Sequence, residues 1–163
     1  MPWINSDGLR IMLGSEEATA VLSGEYSKMD MEHEVELTLT LTALGTAAAR
    51  FGSETLMIPK GARISRVTVL TTTTATSAGS AVLNVGLQRH DRSTELDYDG
   101  LLAAAPLADY NLVGEIKEYT IGVTGVGALV GTTLSNAGYI TADYDTAAYT
   151  AGVVRIKIYY FIP

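Results

Sequence analysis

The residues of this sequence best suited to chemistry are carboxylates set two apart: Asp97 and Asp99 around Tyr98, Asp143 and Asp145 around Tyr144, with Asp109 between the pairs. Carboxylate oxygens grouped in a short loop are the donor set that calcium takes. The run Asp97-Tyr98-Asp99-Gly100 lacks the downstream bidentate Glu of an EF-hand loop, so it reads as a helix cap and turn. Glycosidase carboxylates are defined by their separation in space, and nothing in the sequence singles out such a pair. Gly122 to Gly131 superficially resembles a phosphate-cradling loop. It lacks the terminal Lys-Ser/Thr and has no acidic ribose ligand in a βαβ setting, so a flexible turn between strands is expected. The two histidines, His33 and His90, each lie beside charged residues, and no Gly-x-Ser-x-Gly elbow exists. With no cysteine, thiolate catalysis, disulfides and Cys-ligated zinc are excluded. The expectation is a protein without catalytic residues, cofactor or metal, and not an enzyme.

Charge narrows the partners further. Eighteen acidic residues against eleven scattered basic ones give a formal charge of −7, which disfavours binding a nucleic-acid backbone. No apolar run approaches the roughly 20 residues of a membrane span, and the N-terminus lacks the basic and apolar regions of a signal peptide. No nucleic acid and no membrane are therefore expected, in a soluble protein assembled in the cytoplasm. The length fits one domain, and a chain of about this size buries roughly 70% of its unfolded surface without staples.

The elements that must position these residues are strands. From His33 to Thr42, Val35, Leu37, Leu39 and Leu41 alternate with Glu34, Glu36, Thr38 and Thr40, a period-two pattern with one dry face and one wet face. The closing stretch Val153 to Ile162 repeats it. Val154, Ile156, Ile158, Tyr160 and Ile162 share one face, and Arg155, Lys157, Tyr159 and Phe161 share the other. Pairing these two strands sets Glu34 and Glu36 against Arg155 and Lys157. Between them lie a short strand at Thr55 to Ile58 closed by the turn Pro59-Lys60-Gly61, and a strand at Ala62 to Thr72. In the latter the apolar parity shifts between Ile64 and Val67, through either a bulge or burial of both faces. Ala81 to Gln88 is expected to form a hairpin with that strand. Asp97 to Pro106 predicts one or two helical turns beginning at Tyr98 or Asp99. Further strand signals lie at Glu115 to Val123, Ala128 to Leu134 and Gly138 to Ala142.

Seven or eight strands make an all-β fold, a two-sheet antiparallel β-sandwich of jelly-roll type with one short helical excursion. The predicted division is an N-terminal arm at 1–30, partly irregular, and a sandwich domain at 31–163. The arm carries the chain's single tryptophan, Trp3, with Ile4, Leu9, Ile11, Met12 and Leu13, and it either packs on its own domain or reaches a neighbouring subunit. Tyr159 and Phe161 give the last strand a second apolar face, to be covered by loops, an arm or another subunit. These eight residues form the candidate partner interface.

A resemblance bears on the reading. The run Leu56-Met57-Ile58-Pro59-Lys60-Gly61-Ala62-Arg63-Ile64, the Thr-rich strand after it, Leu83-Asn84-Val85-Gly86-Leu87 and Asp97-Tyr98-Asp99-Gly100-Leu101-Leu102 together resemble capsid decoration (cement) proteins of tailed bacteriophages. The resemblance spans about Thr55 to Leu112. It implies a β-sandwich subunit that sits outside an icosahedral head, oligomerises, often as a trimer, and clamps the major capsid protein, so that its place is the virion surface. No capsid-contacting residue carries over from it. The alternative is a tail-fibre or carbohydrate-binding sandwich, for which Tyr98, Tyr110, Tyr139, Tyr144 and Tyr149 would line a groove.

Overall fold

The computed structural model describes residues 32–92 and 94–162 in full and, before them, the backbone of two short strands, β1 (Trp3–Ile4) and β2 (Arg10–Ile11). These two pair antiparallel, Trp3 opposite Ile11 and Ile4 opposite Arg10. They belong to one unit, 1–31, and the strands that follow belong to the other, 32–163.

Strand β3 (His33–Thr40) buries Leu37 and Leu39 and leaves Glu34, Glu36 and Thr38 outside, as its alternation requires. The chain continues through β4 (Phe51–Ile58), β5 (Arg63–Ser77), β6 (Val82–Arg89), β7 (Glu95–Pro106), β8 (Ile116–Tyr119), β9 (Gly138–Asp145) and β10 (Tyr149–Phe161). Two four-stranded antiparallel sheets result. The first has the order β3-β10-β5-β8 and the second β4-β9-β6-β7. Except for β6 and β7, each strand is followed by one in the other sheet, which is the winding of an eight-stranded jelly roll. Ile64, Val67, Ile156 and Ile158 of the first sheet and Ile58, Leu83, Leu87 and Ile140 of the second are fully buried. Each such side chain contributes about 1.5–3 kcal/mol.

The opening and closing strands pair as their patterns predict. Leu37 lies opposite Ile156 and Glu36 opposite Lys157. The parity shift in β5 is a bulge: Tyr159 and Tyr160 are adjacent, yet they face Arg66 and Ile64, so Ser65 is the extra residue and both Ile64 and Val67 turn inward.

Three expectations are corrected. The strands β5 and β6 form no hairpin, because they lie in different sheets. Residues 78–81 link them, and four residues reach about 13 Å, enough to cross the roughly 10 Å between packed sheets. The hairpin of this fold is β6–β7. Second, Tyr98 to Ala105 is extended, and the helical excursion is a single 3-10 turn at Leu107–Asp109. Pairing of Leu83 with Ala105 and of Val85 with Leu102 buries Leu101, Leu102 and Ala105 together, an outcome that outweighs a few favourable helix formers. Ala104, at φ 51°, sits where this pairing is irregular. Third, residues 128–134 are not a strand. Their backbone instead closes the side of β5 that β8 leaves open, with Gly131 N–H donating to Ile64 O and Leu134 N–H to Ala62 O.

Candidate interaction surfaces

Register dictates what the outer face of the first sheet presents. One row runs Ile116, Leu70, Arg155, Thr38, and the next runs Glu118, Thr68, Lys157, Glu36. Lys157 Nζ lies 2.7 Å from Glu34 and 3.6 Å from Glu36, and Arg155 lies 3.8 Å from Glu36. Arg66 grips Glu32 with two nitrogens at 2.7 Å, and its guanidinium lies 4.0 Å from the centre of the Tyr159 ring. The hydrogen bond from Lys157 holds the Glu34 carboxyl below its ordinary value. Such exposed pairs are screened by solvent, so the network selects register more than it stabilises.

Tyr159 is thus covered by an arginine of the neighbouring strand, whereas Phe161, beyond the network, stays 37% exposed. Of the N-terminal candidates, Trp3, Ile4 and Ile11 fall in the paired β1 and β2 backbone. Leu9, Met12 and Leu13 lie outside the described residues.

Sequence reasoning missed an apolar fringe. Leu112 and Val113, in the turn before edge strand β8, are each 64% exposed, Ile116 at its start 66%, and Ile121 beyond its end 73%. Gly114 N–H donates to Thr71 O and Thr71 N–H to Glu115 O, which fixes the approach to β8 along β5 and leaves Leu112 and Val113 in solvent. The available signal was two aliphatic residues in a turn, before Gly114 and out of step with any strand.

The second sheet carries a trough on its outer face. Its larger part, about 540 Å³, is bounded by Arg50, Asn84, Asp97, Asp99, Asp143 and Asp145. Asp143, 2% exposed, accepts from Arg50 Nε and from Asn84 Nδ2, and Asn84 Oδ1 in turn accepts from Ala104 N–H. Arg50 also stacks on Tyr98, 3.6 Å from the ring centre. Burial, reinforced by Asp99, raises the Asp97 carboxyl to about 6. The sequence-predicted aspartates therefore divide. Asp97, Asp99, Asp143 and Asp145 meet at the trough, whereas Asp109 lies elsewhere, accepting from Tyr119 Oη and pairing with Lys117. Among the described residues no three acidic or histidine side chains are arranged to hold a metal ion.

The remaining motifs have structural roles. His33 stacks on Tyr160. The glycine-rich loop runs beside β7, with Gly127 N–H donating to Leu101 O and Leu129 N–H to Gly100 O, and thereby blocks that sheet edge. At Gly127 a Cβ would sit 2.1 Å from the Gly100 carbonyl carbon, so the glycine permits the close approach. Of the five tyrosines expected to line a groove, Tyr98 and Tyr144 border the trough, and the others do not. Tyr110 and Tyr149 are buried and bonded to each other, and Tyr98 and Tyr139 lie under Arg50 and Arg92.

Residues 32–162 form an eight-stranded jelly-roll sandwich with a charged outer sheet face, an apolar fringe and an acidic trough. Their fold is that of chains found in phage capsids. A chain of the cyanophage Pam1 capsid asymmetric unit superposes with a TM-score of 0.57 at 20% identity, covering 93% of this chain and 100% of that one. A chain of the capsid of Ralstonia phage GP4 gives 0.53 at 14% identity, covering 82% of this chain and 85% of that one. No protein-family model matches the chain, and no curated protein does.

Proposed function

We propose that this chain is a structural component of a tailed-phage virion, a decoration protein that binds the outside of the head, contacts the major capsid protein and stabilises joints between capsid subunits. The observation that carries this reading is the superposition of a whole capsid chain of cyanophage Pam1 on 93% of the present chain. Supporting it are aliphatic side chains in solvent at Leu112, Val113 and Ile116. Apolar groups in that position bury area when a partner docks, and many weak copies on one shell add by repetition. Oligomerisation, with a trimer favoured, brings the arm residues Trp3, Ile4, Leu9, Ile11, Met12 and Leu13 and the strand residues Tyr159 and Phe161 against neighbouring copies or the shell.

The test mixes the purified protein with empty heads that lack it. Saturable binding, a raised melting temperature of the heads and density on their outer surface in cryo-electron microscopy are expected. Binding to a glycan array with none to heads would favour a receptor-binding module instead. Removal of residues 1–14 lowers head affinity if the arm contributes, and unchanged affinity takes the arm out of the interface.

A further inference from the structure

Two features of the trough on the second sheet are left unexplained by packing. The carboxylates of Glu95, Asp97 and Asp99 on β7 and of Asp145 on β9 border its larger part, and no basic side chain among the described residues forms an ion pair with any of them. Arg50, the cation in the trough, is held by Asp143 and by the Tyr98 ring. The smaller part, about 220 Å³, is lined by Thr141, which is 1% exposed and whose Oγ1 has no hydrogen-bond partner. Both parts share Ala47, Ala48, Arg50 and Tyr98 and so adjoin each other.

Buried hydroxyls are nearly always bonded, so an orphan in a roomy groove marks a place for a group from elsewhere. The acids set the charge of that group. Glu95, Asp97 and Asp99 stand two apart along β7, so the positive charge they suit is one spread along an extended chain. Combined, the two parts have the size of a ligand groove, roughly 300–1,000 Å³. Ala47, Ala48 and the Tyr98 ring supply apolar wall for the stems of long basic side chains.

We propose that this trough binds an extended basic peptide segment of a neighbouring protein. Lysine or arginine side chains lie among Glu95, Asp97, Asp99 and Asp145, and a polar group of the peptide bonds to Thr141 Oγ1. This does not depend on the capsid reading, and its test uses no capsids.

The probe is an acetylated, amidated Lys-Ala-Lys-Ala-Lys-Ala peptide, whose lysines fall on one side when extended. It is titrated into the isotopically labelled full chain at low salt, beside spermine and a Glu-for-Lys peptide. Saturable amide shifts confined to residues around Asp97, Thr141 and Asp145 are expected. Affinity should fall about tenfold in the double variant Asp97→Asn, Asp99→Asn and about threefold in Thr141→Val, while Glu34→Gln on the other sheet leaves it unchanged. If the double variant does not fold, Asp145→Asn takes its place with a loss of about threefold. Shifts spread over both sheets, equal binding by the trough variants, or binding of spermine but not of the peptide would each overturn the proposal.

Discussion

The hydroxyls of Tyr110 and Tyr149 lie 2.6 Å apart in the interior, joining the turn after β7 to the first residue of β10. Tyr110 Oη also donates to Ala105 O at 3.1 Å, and Thr71 Oγ1 donates to Tyr110 O. One fully buried ring thus ties the segment between β7 and β8 to both sheets. A satisfied pair of buried hydroxyls stabilises modestly, but leaving one partner alone costs its full desolvation, about 1–3 kcal/mol. Tyr110→Phe is expected to destabilise by about 2 kcal/mol and Tyr149→Phe by about 1 kcal/mol. The double variant should cost less than the sum, as measured by chemical denaturation of the four proteins of the cycle.

The same tyrosines set the alkaline limit. Burial raises the hydroxyls of Tyr110 and Tyr119 far above the ordinary range, and that of Tyr149 is pushed up to about 12. Below about pH 10 both folded and unfolded chains keep these protons, so these three rings add nothing to the pH dependence of stability there. Above it the unfolded chain loses them first, and stability falls as pH rises. Phenolate absorbance and circular dichroism followed together should show these three rings ionising only as the fold is lost. Ionisation of all nine tyrosines while the sheet signal persists would contradict this burial.

Gly86 carries a packing prediction. A Cβ there would lie 2.2 Å from the carbonyl oxygen of Asp97 and 2.2 Å from the carbonyl carbon of Tyr98, so β7 backbone occupies the space a side chain needs. Gly86→Ala should destabilise by about 3 kcal/mol or more, since backbone on both sides must shift. Gly114→Ala is the comparison: nothing stands within 4 Å, but φ is +83°, so only the smaller cost of a left-handed alanine, about 1–2 kcal/mol, is expected. Thermal unfolding of the two variants ranks the effects.

The apolar fringe separates binding from folding. Leu112→Ser, Val113→Ser and Ile116→Thr replace side chains that are already in solvent, so each should change stability by no more than about 0.5 kcal/mol. Together they should weaken binding to heads, or self-association, about tenfold or more, read by co-sedimentation and by analytical ultracentrifugation. Full binding by the triple variant would exclude β8 from the interface.

The legible parts of this fold were those in which a single strand's pattern decides its own fate. The alternation of Val35 to Leu41 and of Val154 to Ile162 gave burial, register and the pairing of β3 with β10, because a slip would expose every apolar residue at once. What stayed hidden depended on partners distant in sequence. Tyr98 to Ala105 has the composition of a helical turn and becomes a strand only because β6 offers it a ladder. The trough was visible as two spaced pairs of aspartates, but not their convergence, which arises because β7 and β9 flank β6. Thr141 carried no signal at all, since its isolation is a matter of what surrounds it.

The place of β3 at the margin of its sheet has a consequence for synthesis. Its neighbour in the ladder is β10, so the earliest strand of the sandwich to leave the ribosome stays unzipped until the last has followed. Products terminated before β10 would therefore expose Leu37, Leu39 and the unpaired edge of β5 to proteases and chaperones, and only chains that include β10 would escape that triage.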